Sequence, residues 1–98
     1  MLKMLIELDE NKILSEKKYD LDSIKKVIND SCSARGIYMD DKGFYVGGTF
    51  GKFGGLILGL SKEEWFMENV SKWLWYNSDE SDNPEDFIVE DIKAQFLG

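Results

Sequence analysis

The chain has 98 residues, 43% of them hydrophobic, with 19 acids against 12 basic residues and a formal net charge of −7. That length suits a single domain spanning residues 1–98, and thirteen aromatic residues are enough to pack one core, which argues against a disordered chain. Histidine is absent and cysteine occurs once, at Cys32, which excludes an internal disulfide, histidine-based nucleophile pairs and zinc sites that use histidine.

Residues 2–8 alternate, with Leu2, Met4, Ile6 and Leu8 on one face and Lys3 and Glu7 on the other, and predict a strand. Residues 9–19 are rich in charge, with Ile13 and Leu14 the only apolar pair, and read as a loop holding a short strand or a helical turn. Asp20 is an N-cap for a helix over 21–35, whose apolar face is Leu21, Ile24, Val27, Ile28 and Cys32 and which Gly36 ends in a left-handed conformation. Ile37-Tyr38-Met39 and Phe44-Tyr45-Val46 flank Asp40-Asp41-Lys42-Gly43, a hairpin signal with Gly43 supplying positive φ.

The run Gly55-Leu56-Ile57-Leu58-Gly59-Leu60, bounded by glycines, predicts a buried strand. Ser61-Lys62-Glu63-Glu64 has the form of a capping box and predicts a helix over 62–76. Residues 77–83 form a polar acidic loop, and Asn83-Pro84-Glu85-Asp86 opens a last helix with Ile88, Val89, Ile92 and Phe96 on one face. The expected class is α+β, in the order β-α-β-β-β-α-α, with a small, mostly antiparallel sheet and the helices packed on one face.

The negative charge is concentrated at one end. Residues 1–20 carry a net −1, residues 21–60 carry +1, and residues 61–98 carry ten acids against three lysines, a net of −7. Charge runs of this kind keep a surface solvated, and they also steer association with a positive groove and stand where phosphates would sit. On the predicted 62–76 helix, Trp75 falls with Glu64, Glu68, Ser71 and Lys72 on the polar side, away from Trp65, Phe66, Val70, Trp73 and Leu74. It is either an exposed anchor for a partner or a residue packed beneath the C-terminal segment. The candidate partner-binding set is Trp75 with Asp79, Glu80, Asp82, Glu85, Asp86, Glu90 and Asp91. Like-charge repulsion disfavours direct nucleic-acid binding through that face.

Several near-motifs fail on spacing. Gly47-Gly48-Thr49-Phe50-Gly51-Lys52-Phe53 has three residues between Gly47 and Gly51 and a phenylalanine after Lys52, and a strand is expected to follow, so it is no phosphate loop. Phe50 and Phe53 remain candidates for a second contact surface. Lys42-Gly43-Phe44 begins like an RNA-recognition strand but departs at Tyr45 and Val46. Asp79, Ser81, Asn83 and Glu90 mimic a calcium loop, but Pro84 takes the glycine position, leaving only loose divalent binding. The adjacent carboxylates Asp40/Asp41 and Glu63/Glu64 do not converge on one pocket, and Cys32 lies on an apolar face as a buried thiol. No catalytic residue, cofactor or metal site is expected. The early charges of Met1-Leu2-Lys3-Met4-Leu5-Ile6-Glu7 do not suit a signal peptide and no window suits a membrane span, so a cytoplasmic protein is expected.

The opening Met1-Leu2-Lys3-Met4-Leu5-Ile6-Glu7-Leu8-Asp9-Glu10, the segment Trp65-Phe66-Met67-Glu68-Asn69-Val70-Ser71-Lys72-Trp73-Leu74-Trp75-Tyr76-Asn77-Ser78-Asp79 and the acidic tail resemble small acidic accessory proteins of Gram-positive mobile elements. That class includes anti-CRISPR proteins directed at Cas9, several of which are nucleic-acid mimics in their charge. The resemblance implies a non-catalytic inhibitor that occupies a basic groove of Cas9 or its guide-RNA complex, and it transfers no residue role. The alternatives are an immunity protein or antitoxin against a basic toxin and, third, a small nuclease using carboxylate-bound Mg²⁺.

Overall fold

The structure, a computed structural model, describes residues 1–78 and 83–97. In chain order they form β1 (Leu2–Leu8), α1 (Glu10–Glu16), α2 (Leu21–Ser33), β2 (Tyr38–Met39), β3 (Tyr45–Val46), α3 (Phe50–Ser61), α4 (Glu64–Asn69), β4 (Val70–Asn77), a 3₁₀ turn (Pro84–Asp86), β5 (Ile88–Asp91) and α5 (Ile92–Leu97). The sheet is antiparallel throughout, in the order β2-β3-β1-β4-β5. The protein is therefore an α+β domain, as expected, with a different element order.

The first half follows its local signals. Asp20 caps α2, its side chain accepting from the backbone N–H of Ser23. Gly36 and Gly43 adopt φ of +71° and +89°, and Asp40 holds the hairpin by accepting from the N–H groups of Lys42 and Phe44 at 2.9 Å. The charged stretch after β1 resolves into α1, capped by Asp9, which buries only Ile13. Val27, expected on the apolar face of α2, is instead half exposed.

The second half departs from expectation in three places. Residues 55–60 are not a strand but the end of α3, which Thr49 caps by accepting from the N–H of Lys52. Phe53, Leu56 and Leu60 share its buried face, and their packing outweighs the low helix propensity of Gly51, Gly54, Gly55 and Gly59. Ser61 therefore ends one helix instead of opening the next, its hydroxyl donating to the carbonyl of Leu58. The helix expected over 62–76 stops at Asn69, and β4 begins at Val70. Asn83 does cap a turn at Pro84, as its sequence suggested, but only the 3₁₀ turn forms before β5 and α5 replace the expected long helix.

Pairing in register fixes the two faces of the sheet. Met4 lies opposite Trp75 and Ile6 opposite Trp73, while Lys3 lies opposite Tyr76 and Leu5 opposite Leu74. The core cluster joins Met4, Tyr45, Val70, Trp73 and Trp75 to Ile13, Ile24, Ile28, Cys32, Phe53, Leu56, Leu60, Phe66 and Ile92, so every helix packs on the Met4 face. Trp73 is fully buried there, edge-on to Phe66 at 4.9 Å, with its indole N–H donating to the Met4 sulfur at 3.3 Å. No helix among the described residues is long and apolar enough to cross a membrane.

Candidate protein-binding surface

The change of β4 from helix to strand moves Trp75. It lies on the helix-covered face with 8% of its surface exposed, against the rings of Phe53 at 5.0 Å and Phe50 at 6.2 Å, both edge-on. The expectation of an exposed anchor on a polar helix face is thereby corrected: in a strand, alternation by two sends Trp73 and Trp75 to the same side. Trp75 is packed and not exposed, but its ring contacts among the described residues are with Phe50 and Phe53 of α3, not with the C-terminal segment expected to cover it.

The acids divide. Asp79, Glu80 and Asp82 lie outside the described residues. Glu85 and Asp86 are exposed on the 3₁₀ turn, and the exposed edge strand β5 carries Glu90 and Asp91 to opposite faces of the sheet. Asp91, opposite Leu74, caps α5 by accepting from the N–H of Ala94 at 3.1 Å. Glu90, opposite Trp75, points to the helix side and accepts from the side-chain amide of Gln95 at 3.3 Å. None of Glu85, Asp86, Glu90 and Asp91 takes part in an ion pair among the described residues. Charge on an edge strand also resists pairing with another chain, so Glu90 and Asp91 protect this edge whatever else they do.

Trp75 and Glu90 meet at a cleft of about 170 Å³ between α3 and the corner where β5 turns into α5. Phe50, Phe53 and Phe96 form its aromatic walls. Phe50 is 70% exposed and touches Trp75 edge-on, so most of its ring faces outward at the mouth of the cleft. The sequence singled out Phe50 and Phe53 but not Phe96 or the cleft, because the cleft exists only if 70–77 is a strand. Helical spacing of Phe50, Phe53 and Ile57 after the Thr49 cap was the available signal.

The opposite face of the sheet has its own cluster. The Lys3 ammonium sits 5.3 Å from the centre of the Phe44 ring and 5.2 Å from that of Phe87, and Tyr76 is edge-on to both. Lys3 is 9% exposed, so this is a buried cation held by aromatic faces.

Several titratable groups have structural environments of their own. Burial pushes the Cys32 thiol up to about 11 against the opposing pull of Arg35, which keeps it protonated. Burial likewise lifts Tyr45 to about 12, with its hydroxyl donating to Asn29 at 3.1 Å. Asp40 serves the hairpin, and Glu63 accepts from the indole N–H of Trp65 at 2.9 Å. The glycine segment before Phe50 does feed a helix, which corrects one reason for discounting a phosphate loop. Its spacing and Phe53 still do not match, and the Thr49 hydroxyl occupies the cap. Among the described residues no group of three or more cysteine, aspartate or glutamate side chains is placed to hold a metal ion. The sequence matches no protein-family model and no curated protein.

Proposed function

We propose that the protein acts by binding: its acidic C-terminal rim enters a basic groove of a nucleic-acid-processing enzyme, with Cas9 bound to its guide RNA the first candidate, and blocks it. The observation that carries this reading is the segregation of charge. All of the net −7 resides in residues 61–98, and Glu85, Asp86, Glu90 and Asp91 stand exposed with no cation of this chain paired to them among the described residues. A positive channel built for a phosphate backbone attracts such a rim.

The test is DNA cleavage by Cas9 and guide RNA at increasing concentrations of the protein. Inhibition is expected, with an affinity that falls steeply as salt shortens the screening length from about 10 Å at 0.1 M to about 3 Å at 1 M. Reversing Asp79, Glu80, Asp82, Glu85 and Asp86 to lysine abolishes it. Full inhibition by that variant sinks the acidic-rim mechanism, and no inhibition by the unaltered protein removes Cas9 as the partner.

A further inference from the structure

We infer that the cleft between α3 and the β5–α5 corner is a socket for one cationic side chain, an arginine supplied by a protein partner. The inference rests on the binding role proposed above and names the chemistry the partner brings. Size sets the first limit. About 170 Å³ falls below the roughly 300–1,000 Å³ of sites for cofactors or drug-sized ligands, and equals the share of about six waters at ~30 Å³ each. One side chain fits.

The lining sets the second limit. Four rings, Phe50, Phe53, Trp75 and Phe96, surround the space, and among the described residues its polar lining is Glu90 and Gln95. Aromatic faces attract a cation, and a carboxylate at the rim adds its charge. Among the described residues Glu90 is engaged by the neutral amide of Gln95, through Oε2, and by no lysine or arginine. A purely apolar occupant would bury the approach to that carboxylate without compensation. Arginine answers both features: its planar guanidinium stacks on rings and forks onto carboxylates, where the compact ammonium of lysine offers only a point charge.

Between the side chains that α3 contributes, the wall is bare backbone at Gly54. Gly54 lines the cleft, and a Cβ built on it meets no atom within 4 Å. The helix therefore bears a residue of poor helix propensity where a side chain would fill the socket. Gly59 on the same helix also has open space around its Cβ position but does not line the cleft, which makes it the matched control.

The experiment titrates acetyl-Gly-Arg-Gly-amide into the folded protein and follows the indole N–H of Trp75 and the ring of Phe96 by NMR. Parallel titrations use the peptides in which citrulline, a neutral near-isostere, or norleucine replaces arginine. Saturable shifts confined to the cleft are expected for arginine, with the neutral peptides at least about fivefold weaker. Glu90→Gln weakens the arginine peptide by about three- to tenfold. Gly54→Leu abolishes binding while circular dichroism shows a folded domain; Gly54→Ala, the smaller change, weakens it, and Gly59→Ala leaves it unchanged. Equal binding of the norleucine peptide overturns the inference in favour of an apolar groove. Binding that survives Gly54→Leu, or no shift at all, overturns it as well. No enzyme partner enters this assay. Arginine binding alongside failed charge-reversal results would retain the socket and discard the groove-blocking role, and the converse pattern would do the opposite.

Discussion

The two faces of the sheet solve the same problem by different means. On one, Met4, Trp73 and Trp75 are roofed by helices, and the polar contact at the centre is an indole N–H on a methionine sulfur. On the other no helix of the described residues packs, and the side chains of Phe44, Tyr76 and Phe87 close over the stem and ammonium of Lys3. Adjacent residues of one strand thus enter environments of opposite character. The buried side chains of the helix-covered face are mostly neutral, with Glu90 at its exposed rim, and the ring-covered face holds a charge, which says that a sheet of this size need not be sandwiched to bury both sides.

The largest expected effect comes from breaking the roofed face. Trp73→Ala removes a fully buried ring and should destabilise the fold by about 3–5 kcal/mol, much of the roughly 5–15 kcal/mol available to a small domain, as read by urea unfolding. Next is an alkaline weakness of the same face. An unfolded thiol ionises near 9.0 and a phenol near 10.0, but folded Cys32 and Tyr45 hold their protons to about 11 and about 12. Their folded-state values are raised, so the stability they contribute is full below pH 9 and drains away as pH climbs through that window. Unfolding midpoints measured from pH 8 to 11.5 should fall, and Cys32→Ala with Tyr45→Phe should flatten the fall. On the ring-covered face, Lys3→Met keeps most of the stem but loses the cation and should destabilise by about 1 kcal/mol; a larger loss than Trp73→Ala would reverse the comparison. Smallest is Gly59→Ala, expected to stabilise by about 0.5–1 kcal/mol and raise the melting temperature by a few degrees, since it adds a methyl into open space on α3.

Elements with one clear period were legible. β1 alternates, α2 has Asp20 before it and Gly36 after it, and the hairpin carries Gly43 where φ must be positive. The misreadings have physical causes. The register between β1 and β4 shifts at Glu7/Leu8, where Leu8 lies opposite Val70 and Glu7 opposite Lys72, leaving Ser71 as an extra residue in β4. That bulge separates the inward Val70 and Trp73 by three, a helical spacing written into a strand. β4 is also apolar on both faces, so Leu74 and Tyr76 hide the alternation of Trp73 and Trp75. The enrichment in valine, tryptophan and tyrosine was the better guide. For α3, a short apolar run between glycines does not distinguish helix from buried strand, and tertiary packing of Phe53, Leu56 and Leu60 decided it. The uneven charge of the chain could be counted directly. The cleft could not, because it depends on which way Trp75 turns.

The pairing of β1 with β4 has a consequence for how the chain is made. Residues 2–8 emerge from the ribosome well before residues 70–77 exist, and until then the ladder offers β1 one pairing, Met4 with Tyr45, beside its packing on the earlier helices. Closing the central ladder means joining segments about seventy positions apart, the kind of distant contact that slows folding. Through that interval Leu2, Met4, Ile6 and Leu8 form an apolar ribbon open to other nascent chains, and a chaperone that holds extended apolar segments would find its substrate there.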